Sequence, residues 1–215
     1  TAILFDASII QQVLLSDDHR LIQRFPNNIL ARLGSVISKY AASNHFTKAD
    51  FQEIIHIVDM DGAYISDENV VENSKALNPI YSPVQIETTD RANIIARNDQ
   101  KRKNIDRLCS CSTLWSVPYH VYYMSCNLDH ALYGKLNSSA SEKERDSYQF
   151  AKRYRNDVKG FLEFICCSDF SVMSSYKKSW EYIKTGLRSL ERHTNLGLCF
   201  QPSHEDQSEK SLHTI

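Results

Sequence analysis

Asp59 and Asp61 stand one residue apart and are followed at once by Gly62, directly after the apolar run Ile54-Ile55-His56-Ile57-Val58. Carboxylates two residues apart on a strand share a face. Oxygen groups so placed suit one hard cation, Mg²⁺ or Mn²⁺. Crowded at the end of an apolar strand, they repel each other unless a cation or a base balances them. A divalent ion held there polarises a phosphoryl oxygen and positions a water, which is the chemistry of phosphate-ester cleavage. Gly62 lets the chain turn away with no side chain over the approach. The alternative is a polar turn that only terminates a strand.

Further candidates lie elsewhere in the chain. Asp129 would add a third metal-binding carboxylate or orient a water, and His130 beside it is a candidate general base or metal partner. Cys126 lies in the same stretch and is a candidate nucleophile only with a lowered pKa. Arg97, Lys101, Arg102, Lys103 and Arg107, with Arg91 before them, can grip the phosphates of a nucleic acid. Asp99 and Asp106 allow the plainer alternative of a solvated helix face. The same alternative holds for Lys143, Arg145, Lys152, Arg153 and Arg155, which alternate with Glu142, Glu144 and Asp146. Tyr119, Tyr122, Tyr123 and Tyr133 could stack on bases, but strand aromatics more often pack in a core. His56 and His120 read as hydrogen-bonded core histidines.

The elements that must position these residues follow from periodicity. Residues 2–15 suit a strand, or a helix with Leu4, Phe5, Ile9 and Val13 on one face. Pro26-Asn27-Asn28 reads as a helix start, and Ile29, Leu33, Val36, Ile37 and Tyr40 continue at helical spacing to an end at Ser43-Asn44-His45. Thr47 to Phe51 is a connector or a helical turn. Ile54 to Val58 suits a strand buried on both faces, as in a parallel sheet. Residues 66–93, with Pro79 and Pro83, read as loop. Residues 91–108 read as a basic amphipathic helix, Tyr119 to Met124 as a second strand, and Asp129 to Leu136 as a helix. Residues 137–147 read as a polar exposed loop, followed by helices Tyr148–Cys167 and Ser174–His193. The fold class is α/β, a small parallel sheet flanked by helices. Residues 1–137 form the α/β domain, 138–200 a helical C-terminal part of the same unit, and 201–215 a polar tail.

The 215 residues carry a net charge of −1, so any nucleic-acid contact needs a local basic patch. None of the six cysteines forms a Cys-x-x-Cys pair, and no apolar stretch approaches the roughly 18 residues a membrane span requires. Free thiols and no membrane segment suggest the cytoplasm. The chain begins at Thr1 with an apolar run, and an upstream segment is expected.

Two resemblances follow from these motifs. The string Asp59-Met60-Asp61-Gly62-Ala63-Tyr64-Ile65 resembles the metal-binding segment of Toprim domains, found in topoisomerases, primases and nucleases of the overcoming-lysogenization-defect type. Over a longer span the layout is similar to the Toprim-like RloB proteins of restriction and phage-defence loci. The second strand, Ser125, Asn127 and the acidic residue opening an apolar helix, Asp129 to Leu132, resemble that family. So does the C-terminal His193-Thr194-Asn195-Leu196. This resemblance implies a Mg²⁺-dependent nuclease acting on DNA or another nucleic acid, as a homodimer or with a partner protein of a defence system. Toprim enzymes also carry a Glu followed by Gly on an earlier strand, whereas the first Glu here is Glu53. If residues 1–15 are the helix that follows that strand, the Glu is expected just before Thr1; otherwise the site lacks it and the chain is a non-catalytic subunit. Val58 to Ile65 also resembles the first motif of haloacid-dehalogenase-like phosphatases. This implies an aspartyl-phosphate on Asp59, with Ser125, Lys152 or Lys159, and Asp169 completing the site.

Overall fold

The computed structural model describes residues 2–5 and 28–201. Its strands are β1 (Ala2–Phe5), β2 (Ile54–Asp59), β3 (Val70–Glu72), β4 (Ile80–Tyr81), β5 (Ile86–Thr88), β6 (Thr113–Leu114), β7 (Val117–Ser125) and β8 (His193–Thr194). The helices are α1 (Ile29–Ser43), α2 (Arg91–Cys109), α3 (Leu128–Tyr133), α4 (Ala140–Tyr154), α5 (Val158–Cys167) and α6 (Tyr176–Ile183), with short 3₁₀ turns between some elements.

β2 is the middle of three parallel strands. It pairs with β1 from Ile54 opposite Ala2 to Ile57 opposite Phe5, and with β7 from Ile54 opposite Tyr119 to Asp59 opposite Met124. Ile54 through Val58 are all buried, as expected for β-branched residues covered on both faces. On one face Ile54 and Val58 join Ile29, Leu33 and Ile37 of α1, Ile105 and Leu108 of α2, and Trp180 and Ile183 of α6. On the other, Ile55 and Ile57 join Tyr122, Met124, Ala131 of α3 and Ile165 of α5. The result is a sheet with helices on each side, an α/β fold.

The sheet is mixed rather than wholly parallel, because β6 pairs antiparallel with the start of β7 and β8 antiparallel with its end. Between them the edge of β7 is completed by side chains. The Tyr176 hydroxyl donates to the Val121 carbonyl at 2.8 Å and accepts from the Val121 N–H at 3.2 Å. Asn195 Oδ1 accepts from the Tyr123 N–H at 2.8 Å, and Thr194 Oγ1 donates to the Tyr123 carbonyl at 2.7 Å. A nine-residue strand thus keeps its backbone groups satisfied beside two-residue neighbours.

Other expectations change in detail. Asn28 caps α1, which ends at Ser43 as its periodicity predicts. Residues 6–15 of the first expected element lie outside the described residues. Residues 66–93 are not plain loop: they include a second sheet, β3-β5-β4, and the start of α2. Ile65, Val70, Ile86 and Ile94 pack beneath this sheet with Leu190 and Cys126, so a few apolar residues among many polar ones suffice to fold it. The stretch 137–147 is not a loop throughout, because Ser139 and Glu142 form a capping box that starts α4 at Ala140. The helix expected over 148–167 breaks before Asp157, whose side chain caps α5. The last expected helix stops at Ile183, where turns lead into β8. No described helix is long and apolar enough to cross a membrane.

Asn195 is buried and also donates to Ser179 Oγ at 3.0 Å. Asn195→Ala leaves the Tyr123 N–H unpaired inside the protein and lowers the unfolding free energy by about 1–3 kcal/mol, read from the midpoint of a urea titration.

Candidate functional site

β2 ends at Asp59, and the next residues do not continue as strand. Asp61 and Gly62 both take left-handed backbone conformations, with φ +47° and +68°. Asp tolerates that region through its short polar side chain. Gly62 is further required by space: a Cβ there would lie 2.6 Å from Leu190 Cδ2. The expectation that both carboxylates share one strand face is therefore corrected. Asp59 leaves from the strand end, and Asp61 from the turn that follows it.

That turn is held by backbone groups of two other segments. The Met60 N–H donates to the Met124 carbonyl, the Asp61 N–H to the Cys126 carbonyl at 2.7 Å, and the Gly62 N–H to the Ser189 carbonyl at 3.0 Å. α2 holds it from the side. Arg97 Nη2 donates to the Asp61 carbonyl at 2.9 Å, Asn98 Nδ2 to the Gly62 carbonyl at 3.4 Å, and Arg102 Nη1 to the Ala63 carbonyl at 3.2 Å. Lys101 Nζ lies 2.5 Å from Asp61 Oδ2, and both side chains are buried. A base on the protein itself therefore faces the acidic turn. Lys101 neutralises Asp61, because an unpaired charge at that depth is strongly unfavourable.

Asp59 is half-buried and shares the surroundings of Asp61. Its carboxyl is pushed up to about 7, first by burial and then by the charge of Asp61, with Asp129 adding to the rise. Lys101 and the Leu128 N–H at the start of α3 pull it the other way. Near neutral pH, Asp59 is the acid of this pair poised to take a proton.

Asp59 and Asp61 open onto one cleft of about 730 Å³. One wall is Lys75 with residues 77–81, in and before β4. The other is residues 136–139 with Glu142 and Lys143, at the start of α4, and Asn127 completes the lining. The walls are tied together where Asn137 Oδ1 accepts from the Tyr81 N–H at 2.9 Å and Asn137 Nδ2 donates to the Tyr81 carbonyl at 2.8 Å. Tyr81 also accepts from Arg97 Nη1 at 2.7 Å, which joins the wall to the helix that grips the acidic turn.

The remaining candidates are distributed as follows. Asp129, in the first turn of α3, pairs with Lys143 at 3.3 Å and acts on Asp59 through its charge. His130 is buried; its Nδ1 accepts from the Cys126 N–H at 3.0 Å. Burial, then the charges of Arg192 and His193, bring its pKa down to about 4. It is neutral near pH 7 and orients backbone beside the site, rather than opening onto the cleft. Cys126 is buried with its thiol pushed far up, so it is no nucleophile. Of the basic helix, Arg97, Lys101 and Arg102 hold the acidic turn, and Lys103 pairs with Asp99 at 2.6 Å. Arg107 lies in the last turn of α2. This set does not form one phosphate-gripping face. His56 is the expected core histidine, bonded to the Tyr119 hydroxyl at 2.7 Å, whereas His120 is half-exposed and pairs with Glu53. Tyr119, Tyr122 and Tyr123 are buried in the core and Tyr133 packs against Phe150.

The dehalogenase-like set is not assembled. Ser125 is buried with its hydroxyl donating to the Arg188 carbonyl at 2.9 Å, and Lys152, Lys159 and Asp169 are exposed away from the cleft. Sequence reasoning missed Lys75, Tyr81 and Asn137, and named Asn127 only within the family resemblance. Asn127 alone had a local signal, as the cap residue three positions before His130. Comparison with protein-family models, curated proteins and solved structures finds no match.

Lys101→Met leaves the Asp61 carboxylate buried without its partner and destabilises by about 3–5 kcal/mol, whereas Lys101→Met with Asp61→Asn recovers most of that, measured by denaturant unfolding. For Asp59 the folded pKa lies above the unfolded one. Its ionisation therefore weakens the fold progressively as pH rises from about 4 through 7. Without divalent ions, Asp59→Asn is expected to match the wild type near pH 4 and to exceed it by about 1–3 kcal/mol above pH 7, a gap that thermal unfolding across pH reads directly.

Proposed function

We propose that the protein is a divalent-cation-dependent hydrolase of phosphodiesters, with Asp59 as its principal cation ligand and Asp61 beside it. The observation that carries this is the convergence of two carboxylates on one polar cleft at the carboxyl end of the middle parallel strand, where open α/β sheets bind ligands. The donor set fits Mg²⁺ or Mn²⁺. Such ions keep several waters and use one or two carboxylates plus substrate oxygens, rather than an all-protein cage. Among the described residues no group of three or more His, Cys, Asp or Glu is arranged as such a cage.

When bound, the ion would polarise a phosphoryl oxygen and favour attack by water. The chain's own residues set the conditions for this. Lys101 fixes Asp61 and offsets part of its charge, which leaves Asp59 as the carboxylate that a cation would chiefly balance. The Leu128 N–H orients Asp59, and Asp129 adds negative potential nearby. Lys75 and Lys143 line the same cleft and favour the approach of an anionic substrate. The Asp59-to-Ile65 string and the parallel β1-β2-β7 arrangement support a Toprim-like architecture for this reading. The family resemblance is also what supports nucleic acid as substrate and a role in phage defence.

Asp59→Asn is expected to lower Mn²⁺-dependent cleavage of a labelled oligonucleotide by about a hundredfold or more while the far-UV circular dichroism is unchanged. Mn²⁺ titration followed by electron paramagnetic resonance should show binding by the wild type and its loss in the variant. Wild-type protein that binds no Mn²⁺ and cleaves no phosphodiester would overturn the proposal.

A further inference from the structure

Leu77 is 97% exposed, the most of any large apolar side chain described, and it lies in the wall of the acidic cleft. Ile80, 42% exposed, lines the same wall with Pro79 between them. An isolated exposed leucine needs no explanation. Here, however, three apolar residues stand together in the lining of the cleft that the two carboxylates also line, in a wall tied across it through Tyr81 and Asn137. On the same stretch Lys75 is exposed and makes no ion pair among the described residues, and Lys143 faces the cleft from the opposite wall. The cleft thus offers carboxylates, ammonium groups and an apolar step within one space of about 730 Å³. A simple phosphate ester would use the first two and leave the third exposed to water. A nucleotide unit uses all three, its phosphate between the acids and the lysines and the face of its base against the apolar step.

We propose that Leu77, supported by Ile80, is a specificity-determining contact for an unpaired base, and that the substrate of the site is single-stranded nucleic acid. This rests on the phosphodiesterase reading above. In a duplex the base faces are covered by their stacked neighbours, so a contact to a base face selects unpaired strand. Apolar side chains are established partners of unstacked bases, and a base face is sequence-tolerant as a contact.

The test compares a single-stranded oligodeoxynucleotide with the same strand carrying abasic residues around one cleavable linkage, in Mn²⁺. The wild type is expected to cut the base-bearing strand about tenfold faster, the scale of one base contact. Leu77→Ser is expected to bring that ratio close to one while the abasic strand is cut at the wild-type rate. Leu77 packs against nothing in the core, so the variant leaves the fold unchanged by circular dichroism. A ratio that persists in Leu77→Ser, or a wild type that cuts both strands equally, overturns the base contact and leaves the phosphodiesterase reading standing. Failure of the wild type to cut either strand removes both.

Discussion

The buried pair of Lys101 and Asp61 is the constraint on which the rest of the site depends. A carboxylate at 8% side-chain exposure has too little water to hold its charge, so its geometry is dictated by the ammonium 2.5 Å away. Because Lys101 belongs to α2, the pair locks that helix against the turn after β2. Arg97, Asn98 and Arg102 of the same helix then reach the next carbonyls of the turn. A left-handed Asp61-Gly62 step would be unfavourable in isolation, and here it is over-determined by contacts from three segments. The electrostatic consequence falls on Asp59. Lys101 offsets the charge of Asp61 only in part, so the ionisation of Asp59 is resisted by burial and by its neighbour's charge.

The second sheet explains how a cleft arises from so small a scaffold. β4 contributes only two residues, yet Tyr81 joins its wall to Arg97 on one side and to Asn137 on the other. The wall is therefore continuous, through hydrogen bonds, with the helix that fixes the acidic turn. The acidic turn and the cleft wall are set by one connected network, which is how residues outside a cleft fix the geometry within it.

Much of this was legible in the sequence where local signals were strong. The β-branched run before Asp59 identified a central buried strand, and Asn28 identified the start of α1, because burial on both faces and helix capping each impose a local residue pattern. The cleft-bearing acids were visible because two carboxylates crowded at the end of an apolar strand repel each other unless balanced, which marked them out from an ordinary polar turn. What stayed hidden was long-range. No spacing predicts that Lys101, forty residues on, turns inward while Lys103 stays in solvent. The basic stretch of α2 looked like a phosphate-binding face because charge composition does not say which cations are engaged by the protein itself. The β3-β5-β4 sheet was hidden because its strands are two or three residues long, too short for a two-residue period to register. The capping box of α4 was the exception: Ser139 and Glu142 announce a helix inside a segment whose polarity suggested a loop.

The side-chain completion of β7 has a consequence for how the molecule behaves in company. Between its two short antiparallel neighbours, an open run of N–H and carbonyl groups would be a template for a strand from another chain. Tyr176, Thr194 and Asn195 occupy those groups with donors and acceptors that no incoming backbone can displace without unpacking the protein first. The longest strand of the sheet is thereby shielded from edge-to-edge association, and the protein achieves this with three side chains instead of another strand.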